Sequence, residues 1–539
     1  LAGRLNVSLL LTDPGDLMPP ATAEVPIYSG RIVRVLGHLG RFEITVDGYA
    51  PMMPSSKSAA DFLMAQDGAS SQCSLIFDMS GETALLTGHE KRDGYVRVDP
   101  DDPAGLAQAM FEIADMVGEF EKPIYVTYDG DICAHGRNGL VGCTNCLDAC
   151  PAGAIAASGD YVEVDSHVCA GCGSCSASCP TGAVSYAYPR REDLIKRMQT
   201  LTGAYAAAGG KRPVLLVNDE RHGSALIGAM ARYGRGLPVN VLPFSVFTVT
   251  QIGQEFLTAA LIAGVERIVV LAPPERPEEL AALEAQLALT RAFLAGLGYQ
   301  QAEDRLSILI EADPDKVEAA LHEQPKIKAL KPSTFSAVGG KRTIARNALA
   351  KLHETAPERP DVIALPEGAP YGSLNVRTEG CTLCLACVSC CPVDALHDNP
   401  DRPQVRFLES ACVQCGLCAT TCPEHVITLE PRYDFTPDAM TPSVLHEEEP
   451  FECIRCGKPF GTKSTVERVT ALLAGKHAMF REPEQQKLMQ MCDDCRIITQ
   501  AESPTNPFAS GERPRVRTTE DYLAARDNAP GMEDFLKEE

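Results

Sequence analysis

Cysteine spacing carries the chemistry of this chain. Sixteen of its 22 cysteines fall into four copies of one run, C-x2-C-x2-C-x3-C followed by proline, set out as two widely separated pairs. Three copies are intact: Cys169, Cys172, Cys175, Cys179 before Pro180; Cys381, Cys384, Cys387, Cys391 before Pro392; and Cys412, Cys415, Cys418, Cys422 before Pro423. The fourth is stretched, with Cys133, Cys143, Cys146, Cys150 before Pro151. Three thiolates two residues apart can wrap one iron–sulfur cubane while the N–H groups of the short loop face the sulfurs, and the cysteine before the proline ligates the neighbouring cluster.

Crosswise pairing of this kind predicts four [4Fe–4S] sites. The first is Cys133, Cys143, Cys146 and Cys179; the second Cys169, Cys172, Cys175 and Cys150. The third is Cys381, Cys384, Cys387 and Cys422, and the fourth Cys412, Cys415, Cys418 and Cys391. Two positions leave a choice. Nine residues, "AHGRNGLVG", separate Cys133 from Cys143, so that His135 competes with Cys133 as a ligand; Cys133 is preferred because thiolate is the usual cubane ligand. Cys390 adjoins Cys391, but only Cys391 has both the x3 spacing and the following proline, which leaves Cys390 spare.

A disulfide framework does not account for this pattern, since such frameworks belong to small secreted chains. Zinc sites use paired C-x2-C knuckles rather than runs of three. One such pair is present: Cys453 and Cys456 in "CIRCGKPF", then Cys492 and Cys495 in "CDDCR", flanking a helical segment. These four read as a structural zinc site, with a further iron–sulfur cluster as the other choice. Cys73 stands alone and reads as a small buried apolar residue.

At 539 residues the chain exceeds what one hydrophobic core supports, so several domains are expected. The formal charge is −23, and each oxidised cubane with its four thiolates adds about −2. That argues against nucleic acid, whose phosphates need a basic face, and favours a redox partner protein with a basic docking patch. No apolar run approaches the length of a membrane span. The chain begins Leu-Ala-Gly, and Val7–Leu11 is too short for a signal-peptide core, so the expected location is cytoplasmic.

The elements that must position the cysteines follow from the pattern between them. Residues 1–125 alternate short aliphatic runs with Pro, Gly and Asp before a helix at Pro103–Val117, as an α/β or α+β domain without a G-x-G-x-x-G loop. Residues 126–190 form a two-cluster unit whose halves repeat as "CPAGAI" and "CPTGAV"; 373–435 repeats the plan with "CPVDAL" and "CPEHVI". Between them, 191–345 has no cysteine and alternates strands (Val214–Val217, Val239–Leu242, Arg267–Leu271, Leu306–Ile310) with helices, which implies a parallel sheet covered by helices. Within it "VGGKRT" (338–343) lacks half of a phosphate loop and reads as an ordinary loop. A linker (346–372), a zinc-ribbon-like segment (436–500) and an extended tail (501–539) with one short helix at Thr519–Asp527 complete a multidomain α/β plus α+β chain.

The paired motifs resemble the bacterial two-cluster ferredoxin fold. The stretch "LPVNVLPFSVFTVTQIGQEFLTAALIAGVERIVVLAP" resembles the delta subunit of methyl-viologen-reducing hydrogenase. That family carries a [2Fe–2S] centre on cysteines that are all absent here, which implies a docking or spacer domain. "MVGEFEKPIYVTYDGDIC" is similar to the approach to a ferredoxin insert in the flavin-binding subunit of heterodisulfide reductase, whose glycine fingerprint is missing. The layout looks like polyferredoxin subunits of formate dehydrogenase or heterodisulfide reductase-type systems. The resulting expectation is an electron-transfer protein with four [4Fe–4S] clusters and one zinc ion, without flavin or catalytic residues of its own, docked on a larger oxidoreductase complex. The alternatives are a flavin-containing oxidoreductase subunit and a maturation factor for a metalloenzyme.

Overall fold

The computed structural model describes residues 1–539 apart from 16, 21, 23, 87–91, 275–276, 326, 328–329, 475–481, 503–515 and 528–539. Its contacts divide into two compact units: 1–380 with 385–398 and 405–445, and 381–384 with 399–404 and 446–539.

The first unit is built on a parallel sheet. Its strands lie in the order Val241–Val246, Val214–Asp219, Arg267–Ala272, Leu306–Ile310. Alternate residues of the central strands enter different cores. Leu215, Val217, Ile268 and Val270 face helices Arg191–Ala207, Gln254–Ile262, Ala281–Gly296 and Lys341–Glu354 through residues such as Met198, Leu257, Leu287 and Ile344. Val214, Leu216, Val269 and Leu271 face helices His222–Tyr233 and Pro314–His322 through Met230 and Val317. Burial on both faces explains why these strands are continuous apolar runs rather than alternating ones.

Two expectations about the end of this domain are corrected. The lysine and arginine of "VGGKRT" do not lie in a loop: Gly340 is the N-cap of the helix Lys341–Glu354. That helix crosses the expected boundary at 345, and the segment 346–372 is no free linker. Val362–Ala364 pairs with Ile427–Asp434, and Ile363, Leu365 and Tyr371 pack against Phe293 and Leu349. Proline and polar content suggest a spacer, but the apolar residues between them are buried.

The N-terminal region is a four-stranded sheet: Leu9–Leu11 runs parallel to Ile27–His38, followed by Arg41–Pro51 and Ala69–Cys73 in antiparallel order. Asp102 caps the helix Pro103–Asp115 by accepting from the Ala104 N–H, with proline at the first helical position. In the first cysteine-rich region Val126–Tyr128 pairs with Val184–Tyr186, and Ile155–Ser158 with Tyr161–Val164. In its counterpart Gly372–Val376 pairs with Ile427–Asp434, and Leu396–His397 with residues of Gln404–Phe407.

The second unit contains the hairpin Pro450–Glu452/Pro459–Thr462 and the helices Lys463–Leu473, Pro483–Lys487 and Asp493–Glu502, with Thr462 capping the first. The short helix Thr519–Asp527 is present. Among the described residues no helix is long and apolar enough to cross a membrane.

Candidate metal centres

Each intact run folds by the same backbone device. The residue before the second cysteine and the residue after it both have positive φ: Gly171 and Gly173, Leu383 and Leu385, Gln414 and Gly416. Left-handed residues at this spacing coil the loop tightly around its sulfurs. At Leu383, Leu385 and Gln414 the conformation is one that side chains disfavour. Gly173 has a second reason to be glycine, because a Cβ there would stand 2.6 Å from the Cβ of Gln251.

The sulfurs gather crosswise. Cys143 and Cys146 each interact electrostatically with Cys133 and Cys179. Cys172 and Cys175 do so with Cys150 and Cys169, and Cys412, Cys415 and Cys418 with Cys391. The first, second and fourth predicted quartets are thereby each brought together. Cys150, Cys169, Cys172 and Cys175 line one cavity with Val126, Ile155 and Val164, an apolar cradle whose only grouped donors are sulfur. For the third quartet, Cys387 lies on the helix Ala386–Ser389 and Cys422 ends the helix Leu417–Thr421, both in the first unit, whereas Cys381 and Cys384 belong to the second unit.

Burial dominates the thiol chemistry. It pushes Cys143 up to about 11, and Cys146 and Cys415 up to about 12, with neighbouring thiolates adding to the effect. Cys175 and Cys418 rise for the same reasons. Without metal these groups are neutral, so loading them with iron releases protons. The donor set fits a polynuclear cationic core that spreads the charge of four thiolates. Backbone N–H groups supply the remaining polarity: Ala154 donates to Cys150 Sγ (3.3 Å), Ala395 to Cys391 Sγ (3.2 Å) and Val184 to Cys179 Sγ (3.5 Å). Such N–H···S bonds are among the protein's controls on cluster potential.

The two ambiguous positions have defined surroundings. His135 is buried, and its Nδ1 lies 2.9 Å from the carbonyl oxygen of Cys143, while Cys133 is the group that interacts with Cys143 and Cys146. Cys390 is buried and its thiol donates to the carbonyl of Cys387 (3.4 Å); the N–H···S bond from Ala395 goes instead to Cys391.

Cysteine spacing gives no hint of the cations around these sites. Lys341, at the start of its helix, is buried; its Nζ donates to the carbonyls of Ser176 and Ala177 and lies 3.9 Å from Glu255. Those carbonyls sit between Cys175 and Cys179. The next residue, Arg342, donates to the carbonyls of Pro370, Ser410 and Cys412. One helix start therefore grips both cysteine-rich regions. Thr248 and Thr250 add a second grip by donating to the Cys172 carbonyl (2.8 and 2.7 Å). Arg92, also buried, donates to the carbonyls of Gly37 and Val168 and acts electrostatically on Cys150 and Cys169. Adjacent Lys-Arg after two glycines is the signal the sequence carries, and its failure as a phosphate motif hides it.

In the second unit the donors of Cys453, Cys456, Cys492 and Cys495 all lie within 4.8 Å of one another. The Cys456 and Cys492 sulfurs are 3.7 Å apart. Tetrahedral thiolates about 2.3 Å from one ion stand about 3.8 Å apart, so this spacing suits a single ion. Gly457, at φ +71°, donates to the Cys453 carbonyl and closes the first knuckle. Burial alone would raise Cys453, but N–H donors from Cys492, Cys456 and Arg455 outweigh it and hold the thiol at about 6. Hydrogen bonding to Cys456 together with burial pushes Cys495 up to about 12.

Comparison with known proteins finds ferredoxin-type 4Fe-4S domains in the chain. Residues 117–183 match the 4Fe-4S dicluster domain family, and 404–427 a 4Fe-4S binding domain family. A stretch of 65 residues is 37% identical to "Ferredoxin 7Fe" of Hydrogenibacillus schlegelii, covering 77% of that protein and 12% of this chain. Another of 52 residues is 36% identical to a ferredoxin of Alicyclobacillus acidocaldarius subsp. acidocaldarius, covering 60% of that protein and 10% of this chain.

Proposed function

The chain belongs to the ferredoxin family of iron–sulfur proteins, and from that premise we propose that it is a four-cluster electron carrier serving a larger oxidoreductase. Its iron–sulfur electron-transfer role follows from the family. The assignment of four [4Fe–4S] clusters to the four quartets is our reading, supported most directly by the crosswise gathering of thiols around an apolar cradle. The third quartet, Cys381, Cys384, Cys387 and Cys422, is assigned by its spacing. Zinc is assigned to Cys453, Cys456, Cys492 and Cys495, where the short sulfur spacing favours one ion over a cubane.

The clusters supply one-electron transfer. The protein's own groups exclude water, donate N–H···S bonds and place buried cations beside the sulfurs. The cysteine-free α/β domain is the base on which both cysteine-rich regions are held. The partner is proposed to be a cytoplasmic complex of formate dehydrogenase or heterodisulfide reductase type, on the strength of domain layout alone.

Metal analysis and EPR of anaerobically purified protein test the count. About 16 irons and one zinc per chain are expected from four cubanes and one knuckle; about 12 irons or fewer in fully loaded protein would defeat the four-cluster reading. Anaerobic capture of the native protein should co-purify an oxidoreductase in stoichiometric amount. Transient association with a metal-free client, or stoichiometric extractable flavin, would instead support the maturation or flavoenzyme reading.

A further inference from the structure

We infer that the nine-residue insertion after Cys133 is a docking hairpin that places the first metal site against the fourth, joining the two cysteine-rich regions into one conducting unit. The inference rests on the electron-carrier reading and adds a route to it.

The insertion is an ordered hairpin whose tip, residues 137–141, is exposed. Gly136–Arg137 and Leu140–Val141 pair as a two-stranded hairpin. Its turn residues, Asn138 and Gly139, both have positive φ, the requirement of a two-residue hairpin loop that Asn-Gly meets best. Both turn N–H groups donate to the carboxylate of Asp160, at 3.0 and 2.9 Å. His135 closes the base through the Cys143 carbonyl, which also fixes where the strand re-enters the metal site.

The return strand of this hairpin meets the other cysteine-rich region at its base. A Cβ on Gly142 would lie 2.7 and 2.9 Å from Cγ and Cδ1 of Leu417, so the hairpin backbone is seated directly on that side chain. Leu417 is fully buried. The chain positions make the contact informative: Gly142 immediately precedes Cys143 of the first site, and Leu417 lies between Cys415 and Cys418 of the fourth. Only glycine at 142 permits this approach. The charges agree with the packing, since Cys143 acts electrostatically on Cys415, and Arg137 of the hairpin on Cys390.

Two residues between Cys133 and Cys143, the usual spacing, would leave no paired return strand to hold Gly142 against Leu417. The electron transfer implied is balanced in itself: one electron leaves the first site, which is oxidised by one, and enters the fourth, which is reduced by one, with no bond made or broken and no proton required.

The test uses the full-length, fully loaded protein and reads magnetic coupling between reduced clusters by EPR, with relaxation of the fourth-site signal as the measure. Removing the first cluster through Cys146→Ser should slow relaxation of the fourth-site signal and narrow it. Gly142→Val should do the same while iron content and the individual cluster signals are retained. If Gly142→Val fails to fold, Cys146→Ser still decides. A fourth-site signal indifferent to loss of the first cluster overturns the inference and leaves the carrier reading intact. Absence of cubane signals from the loaded wild-type protein would overturn the reading itself.

Discussion

The ferredoxin-type quartets and the C-terminal cysteine knuckle use the same ligand atom in opposite ways. In the quartets one sulfur comes from the other half of the repeat, as Cys179 does for Cys143 and Cys146, and the thiols are buried until their neutral forms are favoured. In the knuckle all four sulfurs lie within 4.8 Å, and N–H donors hold Cys453 as a thiolate near neutral pH. A cubane carries enough positive charge, spread over a large core, to reclaim buried thiols from a distance. A single ion needs closely converging ligands, one of which is already ionised. The difference teaches that four cysteines specify a metal through their mutual distance and solvation more than through their number.

The largest expected effect breaks the two kinds of site separately. Cys418→Ala should remove about four irons per chain and leave zinc bound, whereas Cys456→Ser should release the single ion and leave iron unchanged. Elemental analysis of both variants checks this, and parallel loss of iron and zinc in either would erase the distinction.

Stability of the metal-stripped chain against pH comes next, because Cys453 should respond with the opposite sign to the buried quartet thiols. Cys453 lies below its ordinary value of 9.0, so its stabilising contribution is present above about pH 9.0 and is lost as pH falls through about 6. Cys146 lies above the same ordinary value, so its contribution is present below about pH 9.0 and is lost as pH rises towards about 12. Thermal unfolding with a probe in each unit should show Cys453 adding stability to the C-terminal unit between pH 6 and 9, and both units losing stability above pH 9, through Cys495 in the one and Cys146 in the other. A C-terminal unit with no gain between pH 6 and 9 would contradict the solvation difference.

A smaller effect concerns the buried cations, which have no counterpart among the described contacts of the knuckle. Lys341→Met should lower the midpoint potentials of the first and second sites, by about 60 mV if the charge is worth a factor of ten in a one-electron equilibrium. Lys341→Arg should restore most of it. EPR-monitored titration measures both, and unchanged potentials with full iron content would reduce Lys341 to a packing role. The smallest effect is expected for Cys390→Ala, which should leave iron content and potentials where they are; a loss of iron would make Cys390 a ligand in place of Cys391.

Much of the first unit is legible from local pattern. The strands Arg267–Ala272 and Leu306–Ile310 are marked by uninterrupted aliphatic runs, and the helix Pro314–His322 by its proline and capping Asp313. The start of the helix Lys341–Glu354 is not, because Gly339 and Gly340 read as loop residues and nothing local shows that Ile344, Ala348 and Leu352 face a sheet whose central strand begins at Arg267. The hairpin at 136–141 carries the Asn-Gly signal, but its strands are too short to stand out and are held by Asp160 and Leu417 rather than by their own alternation.

The sequence by itself determined the grouping of cysteines into repeated runs, because short spacings constrain a loop whatever surrounds it. Only the tertiary structure decided which thiols lose their charge, which cations are buried beside them and which metal sites stand next to each other. Those properties depend on desolvation and on contacts between segments distant along the chain. No spacing encodes that Gly142 meets Leu417, or that Lys341 reaches the carbonyls between Cys175 and Cys179.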